Sequence, residues 1–577
     1  METRSPRTKA QITRKGFTLR LSRLPQGVAD TAELTLPHRL DQPFALSQTW
    51  VDFGGVGAAS LVLPQRGLAV VLRGVLYSHE LQDVLSLYMR HGLTFADHLE
   101  GSFALILVDQ QAGHIWAVTD RIGSVKVYAA QQDGKLLVST DLNQPAFTQR
   151  PLSPAGVACA LASGVMLGDL TVYQGVRSLE RVCVHDLKPE GVTSRPYWTF
   201  SFGPPSRRPA AELQAELAGL LRAAVDRRLR RAGPRVFLSL SGGYDSRGLL
   251  SLLSGSGREI HTFAYSDGPP RMDSDADVAG QLARQYGARH VTLQAYRGDL
   301  DATLQRNAAW GQGVANFCDE ADAWAELAEH APSAIFAGEQ LFGWYDRPAQ
   351  TMTELLQHAR LPDAQALSGL QGVLQEGDYA RLRDAYGGEL QALTQRLPSG
   401  LDPTQLETLT YLEQLGPRRL MPWREQFAGR VAPVHLPLLD GQLLDFMQTL
   451  PRQLIREKTL FKGALLALDP GLLSVPLARV SGYAPDWNAE LLRHRGALKR
   501  QLGTGHSRLD EFVPPETVMA LLDRLGPDRK NPVRSALGAL RRTPLMGAAL
   551  GVRPPLPRPV DRATLLLRLL TLRRLAE

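Results

Sequence analysis

The chain has 577 residues, 44% of them hydrophobic and 21% charged, and a net charge of +7. At about 150 residues per domain this length suggests two to four domains, and the composition excludes a disordered, collagenous or coiled-coil chain. The longest uncharged apolar stretch, Ala155 to Gly168, falls short of the ~18 to 20 residues that span a bilayer. Met1-Glu2-Thr3-Arg4-Ser5-Pro6 has no apolar run behind it, so no signal peptide is expected and the chain reads as soluble and cytoplasmic. Cys159, Cys183 and Cys318 form no C-x-x-C pair, which argues against a disulfide scaffold or a zinc-thiolate site. His79-Glu80 begins an H-E-x-x-H motif that Asp83 leaves unfinished.

In chain order, the first 200 residues alternate short apolar runs with turn residues. The runs include Leu68 to Leu72, Phe103 to Val108, His114 to Thr119 and Leu136 to Thr140, a pattern of antiparallel strands joined by short loops. The Gly/Pro cluster from Phe202 to Pro209 cannot continue a helix or a strand and marks the main boundary. Beyond it Leu213, Leu217, Leu220, Leu221, Ala224, Val225 and Leu229 recur at helical spacing. A buried strand follows at Val236 to Leu238, a second at His261 to Tyr265, and a helix around Val278 to Tyr286. Strands alternating with helices indicate a parallel α/β sheet. From about residue 350 the pattern is mostly helical. Toward the end, Arg541, Arg542, Arg553, Arg558, Arg568, Arg573 and Arg574 read as a solvated basic helical face, with nucleic acid disfavoured as a partner.

The segment carrying chemistry runs from Val236 to Arg247. A buried strand delivers the chain to Ser241-Gly242-Gly243, where missing side chains let backbone N–H groups approach an anion. Asp245 and Ser246 then open a helix whose N-terminus is electropositive. Strand, glycine turn and helix start make a phosphate cradle. Asp245 would repel bare phosphate and makes sense if it holds a Mg2+ ion bridging phosphate oxygens. No lysine follows the glycines, so this is not a Walker loop.

Ser241-Gly242-Gly243-Tyr244-Asp245-Ser246 resembles the S-G-G-x-D-S pyrophosphate loop of the asparagine synthetase family, the group that includes the β-lactam synthetases and lasso-peptide cyclases. The resemblance spans roughly residues 65 to 485. Gly101 to Asp109, Thr119 to Gly123 and Val127-Tyr128 are similar to the family's glutaminase-type domain. Asp275, Gly287 and His290 fit its second strand-helix unit, Ala337-Gly338-Glu339 with Phe342-Gly343 its S-G-E-G-S-D-E-x-F-G-G-Y segment, and His435 to Asp440 its v-P-F-L-D segment. The resemblance implies an α/β protein in three parts. Residues 1–205 would be an Ntn-type antiparallel β-sandwich, residues 206–490 a pyrophosphate-loop ATPase domain, and residues 491–577 a basic helical extension.

It further implies ATP and Mg2+ as cofactors, Asp245 as metal ligand, and Leu240, Ser241, Gly242, Gly243, Asp245, Ser246, Tyr265 and Gly338 around the nucleotide. Glu339 and Lys462 become the expected catalytic residues. The expected reaction joins a carboxylate, activated as an acyl-adenylate, to an amine, with macrolactam closure as its sharpest form and a homodimer or partner protein as an option. Three departures stand out. Residue 2 is Glu where glutamine-using members carry the nucleophilic cysteine, and Arg73-Gly74-Val75 replaces the N-G-E glutamine clamp, so glutamine hydrolysis is not expected. The segment after Glu339 is shorter and lacks an aspartate, for which Asp346 could substitute. Ser481 occupies a lysine position. Three other readings stay open: an ammonia-using asparagine synthetase, a degenerate protein that binds nucleotide or a partner, and an RNA-modifying enzyme of the same loop class.

Overall fold

The computed structural model describes residues 16–23, 39–40, 44–46, 49–56, 58–343, 349, 351–359, 361, 367–480, 483–526 and 560–577. Asp346, Ser481, Arg541, Arg542, Arg553 and Arg558 lie outside the described residues.

Alternating apolar residues in the N-terminal part build two six-stranded antiparallel sheets. One has Gly16–Arg23 between Lys135–Ser139 and Thr49–Val56; the other runs from Gly191–Pro196 through Gly101–Asp109 to Ala59–Leu63. Phe17, Leu19 and Leu21 of the first sheet meet Val71, Ile106 and Ala117 of the second in one core. The opposite side of the second sheet buries Val70, Leu105 and Leu107 under Val84 and Leu85 of the helix Leu81–His91. Burial on both sides explains why Leu68 to Leu72 and Phe103 to Val108 read as continuous apolar runs rather than as alternation.

The C-terminal part holds a five-stranded parallel sheet in the order Arg289–Gln294, Glu259–Ser266, Arg235–Ser239, Ala334–Phe336, Val434–His435. Val236 and Leu238 face one helical layer, which includes the helices Ala210–Leu229 and Tyr244–Ser254, while Phe237 faces Trp324 and Phe427 on the other side. The mixed α/β architecture with an antiparallel N-terminal and a parallel C-terminal sheet agrees with the sequence expectation.

The basic end of the chain departs from it. The helix Arg562–Ala576 buries Leu565, Leu566, Leu567, Leu569, Leu570 and Leu572, in one core with the helix Pro154–Ala162. Arg573 pairs with Asp510, and Arg568 donates to the carbonyls of Leu161 (3.0 Å) and Ser163 (2.9 Å). Leucines on most sides of this helix leave no wide polar face, so it packs inside and draws Arg573 into the core, while Arg562 at its start stays exposed.

Candidate active site

Three adjacent strand ends of the parallel sheet converge, as ligand sites in such sheets do. Arg235–Ser239 leads into the glycine loop, Glu259–Ser266 ends next to Tyr265, and Ala334–Phe336 runs into Gly338 and Glu339. Leu240 is buried and its N–H donates to the Phe263 carbonyl (2.9 Å), which seats the loop on the neighbouring strand.

Inside the loop the expected donor pattern is corrected. Ser241 N–H donates to Ser246 Oγ (3.0 Å), Gly242 N–H to Asp275 Oδ1 (2.9 Å), and Gly243 N–H to Ser241 Oγ (3.3 Å). All three backbone donors are thus bound within the protein. An incoming anion would meet the first turn of the helix Tyr244–Ser254 and its electropositive end. Ser246 locks the loop, since its hydroxyl also donates to the Ser241 carbonyl (3.2 Å).

Arg247, fully buried, holds the loop from behind. Its guanidinium donates to the carbonyls of Gly243 (3.2 Å) and Gly242 (3.0 Å) on one side and of Leu472 (2.9 Å), Val475 (2.7 Å) and Pro476 (3.2 Å) on the other. Gly242 has to be glycine, because a Cβ there would lie 2.3 Å from the Cβ of Ala478. Gly338 passes close as well: its Cβ would stand 3.2 Å from the Asp245 Cβ, so the two strand ends are in direct contact.

Lys458 is the lysine on Asp245. Its ammonium donates to Oδ1 (2.9 Å) and Oδ2 (2.8 Å). Burial nonetheless pushes the Asp245 carboxyl above its ordinary value, with Lys458 the largest opposing influence. Lys458 and Glu457 adopt left-handed backbone (φ 59° and 53°), a conformation that costs a non-glycine residue about 1 kcal/mol or more. Lys462, the lysine singled out from sequence, lies one turn further on. Its ammonium stands over the Tyr244 ring at 5.1 Å and lowers the Asp245 carboxyl only as a minor influence.

Glu339 is nine-tenths buried. Its Oε1 accepts from Arg424 Nε (2.8 Å) and Nη2 (2.6 Å), while Oε2 has no hydrogen-bond partner among the described residues. Arg424 opens the π-helical turn Arg424–Ala428, and Tyr411, whose hydroxyl is pushed up by burial and by Glu339 and Asp245, opens the π-helical stretch Tyr411–Leu420. Such wide turns recur at functional sites because they redirect side chains.

Tyr265 packs on Tyr483 at 4.9 Å between ring centres. Both line a cavity of about 280 Å3 with Ser266, Arg271, Ser274 and Asp275. A second cavity, about 200 Å3, lies where the N-terminal sheet meets the Arg424 helix, with Arg73, Gly74, Ser102 and Ser124 on one wall and Arg424 and Glu425 on the other. Cys159 and Cys183 are buried, and their thiols are pushed up to about 12 by desolvation, the reverse of what a nucleophile needs.

For a metal, the described residues contain no group of three or more His, Cys, Asp or Glu side chains that could hold an ion by themselves. Mg2+ commonly uses one carboxylate plus substrate phosphates and water. Asp245 already holds a cationic ammonium on both oxygens, so one carboxylate facing a cation site fits that mode. Among the described residues no helix is long and apolar enough to cross a membrane.

The sequence model of the asparagine synthase family matches residues 216–541, more than half of the chain. The chain belongs to the asparagine synthase family. A glutamine amidotransferase domain matches residues 57–198. Two curated relatives match shorter stretches. Amidase chry2 of Gibberella zeae is 29% identical over 214 residues, covering 33% of this chain and 31% of its own. Amidase chyE of Penicillium rubens is 28% identical over 276 residues, covering 42% of this chain and 40% of its own. The matches therefore span well under two thirds of these relatives. Among solved structures, glutamine phosphoribosylpyrophosphate amidotransferase from B. subtilis aligns with a TM-score of 0.22 and 9% identity, over 49% of this chain and 85% of that one.

Proposed function

We propose that this asparagine synthase family protein is an ATP-dependent, AMP-forming amide ligase that needs no glutamine. We take residues 206–490 as the catalytic domain, residues 1–205 as a glutaminase-like domain without hydrolytic activity, and residues 491–577 as an extension. The observation carrying the reading is Glu339, which keeps one buried carboxylate oxygen unpartnered while the preceding residue, Gly338, packs on Asp245.

In the first half-reaction a substrate carboxylate oxygen attacks the α-phosphorus of ATP. The α–β phosphoanhydride bond breaks, and acyl-adenylate and pyrophosphate form. Asp245 would hold Mg2+ together with phosphate oxygens, and the ion, when bound, shields the charge building on the leaving pyrophosphate. Lys458 is positioned to leave Asp245 for a phosphate oxygen, and the helix start at Tyr244 adds its dipole. Tyr265 and Leu240 would line the nucleoside side. In the second half-reaction an amine nitrogen attacks the acyl carbon, AMP leaves, and the proton lost from nitrogen moves to Glu339 Oε2. Arg73 in place of an amide clamp, and the two raised thiols, support an amine source other than glutamine.

Glu339→Gln separates the two halves. We expect labelled pyrophosphate still to exchange into ATP while amide formation falls about a hundredfold or more. Loss of both together would remove Glu339 from the proton-accepting role. The Asp245–Lys458 ion pair favours one rival, a protein that binds without turnover, and this predicts neither exchange nor amide.

A further inference from the structure

Arg424 is buried, with 8% of its surface exposed, and is only partly bonded. Two of its donors converge on one oxygen of Glu339, and its guanidinium lies over the Trp423 ring at 4.1 Å. The remaining nitrogen, Nη1, is buried without a hydrogen-bond partner among the described residues. A second carboxylate, Glu320, with 2% of its surface exposed, lies in the same region: its neighbours Cys318 and Ala321 share a core with Phe427 and Trp423, and Trp324 stands 6.2 Å from the Trp423 ring. It precedes the helix Ala321–Glu329, whose N-terminus favours negative charge. Glu320 Oε1 also has no partner among the described residues. Arg424 and Glu320 act on one another electrostatically, and neither bonds the other. A guanidinium donor and a carboxylate acceptor, both buried and both unsatisfied, thus lie within one another's field.

We propose that Glu320 is the second docking carboxylate of Arg424, a positioning residue that receives the guanidinium when Glu339 takes up the proton of the attacking amine. The inference rests on the ligase reading above. Protonation of Glu339 turns a charge-assisted pair into a weak one, and a buried guanidinium left alone is strongly destabilising. Glu320 supplies the missing negative charge. The proton balance is simple: the amine N–H bond breaks, the proton sits on Glu339 Oε2, and it leaves to solvent as Arg424 returns. No group changes oxidation state.

The groups facing Glu320 are Asp319 and Cys318 from its own segment, Tyr483 bonded to it, Tyr265 from the neighbouring strand, and Arg424. Desolvation, with Asp319 next, pushes the Glu320 carboxyl up to about 7, so it can receive Arg424 only above that range.

Trp423, stacked on the guanidinium at 4.1 Å, senses a change of charge at the second carboxylate without any substrate. We expect the intrinsic fluorescence of the full-length protein to show a pH transition with its midpoint near 7 that Trp423→Phe removes. Glu320→Gln, which keeps the shape and loses the charge, should abolish the transition while Mg-ATP binding stays unchanged, and Glu320→Asp should restore it with a shifted midpoint. An unchanged transition in Glu320→Gln, or none in the native protein, overturns the proposal. Because the titration needs no turnover, the two failures are distinguishable: absent pyrophosphate exchange with an intact transition removes the ligase reading and with it the role of Glu320 in the amine step, whereas exchange without a transition removes the Glu320 proposal alone.

Discussion

At the site, two acidic residues and two basic ones form crossed partnerships: Asp245 with Lys458, and Glu339 with Arg424. In the proposed reaction each pair has a capacity left for substrate, with Lys458 turning to phosphate and Glu339 using Oε2. Lys458→Met should therefore weaken Mg-ATP binding by about tenfold or more, the size of one charge-assisted hydrogen bond, whereas Lys462→Met should change it much less. Calorimetric titration of both variants checks this, and equal losses would return Lys462 to the role expected from sequence. Asp245 can be picked out in the sequence from the strand, glycine turn and helix start around it, and Gly338 and Glu339 from their resemblance to the family's segment. Lys458, Arg424 and Glu320 are not. They reach the site across long chain separations, and a lysine four residues from another carries no local mark of which one faces the carboxylate. The two consecutive left-handed residues at Glu457 and Lys458 could not be read either, since neither is a glycine or an asparagine.

Among the elements, the glycine loop is fixed from two sides. Arg247 draws the carbonyls of Gly242 and Gly243 toward residues 472–476, and Ala478 covers Gly242. Gly242→Ala should push the loop off this cover and abolish nucleotide binding with little change in the far-ultraviolet circular dichroism. Adding Ala478→Gly should recover part of the binding, because it removes the 2.3 Å contact. No recovery would mean that the loop fails for another reason. The parallel strands were legible from Val236 to Leu238 and His261 to Tyr265, short apolar runs with turns after them. The two-residue strand Val434–His435 was not, being too short to show a period. The π-helical turns that carry Tyr411 and Arg424 have no sequence signature beyond Pro417, which lacks an N–H for a regular helix.

Across the whole molecule, the N-terminal and synthase parts share a polar seam. Arg181 pairs with Glu413, the Lys126 N–H donates to Glu425 Oε2 (3.2 Å), and Tyr77 Oη bonds His435 Nδ1 (3.0 Å) beneath Arg228. His435 is buried there, and desolvation with Arg228 lowers its imidazole to about 3; His185 and His290 are lowered to about 4 by burial. A histidine held neutral stabilises the fold above its unfolded value of about 6.5, and that contribution is lost as pH falls toward the folded value. Thermal stability should thus decline between pH 6.5 and 4, and His435→Gln should flatten the decline. An unaltered slope in that variant would show that other groups control it. The basic C-terminal helix teaches a related lesson about pattern: its arginines dominate the sequence, while its six buried leucines, each worth about 2 kcal/mol on burial, decide its place.

The most direct test of the ligase account is exchange of labelled pyrophosphate into ATP by the full-length protein. It would be run with Mg2+ and a protein-free metabolite and peptide extract of the host, beside Asp245→Ala. The account predicts exchange that requires both the extract and Asp245, the mark of a reversible adenylation. Exchange that persists in Asp245→Ala, or none in the native protein, would contradict it.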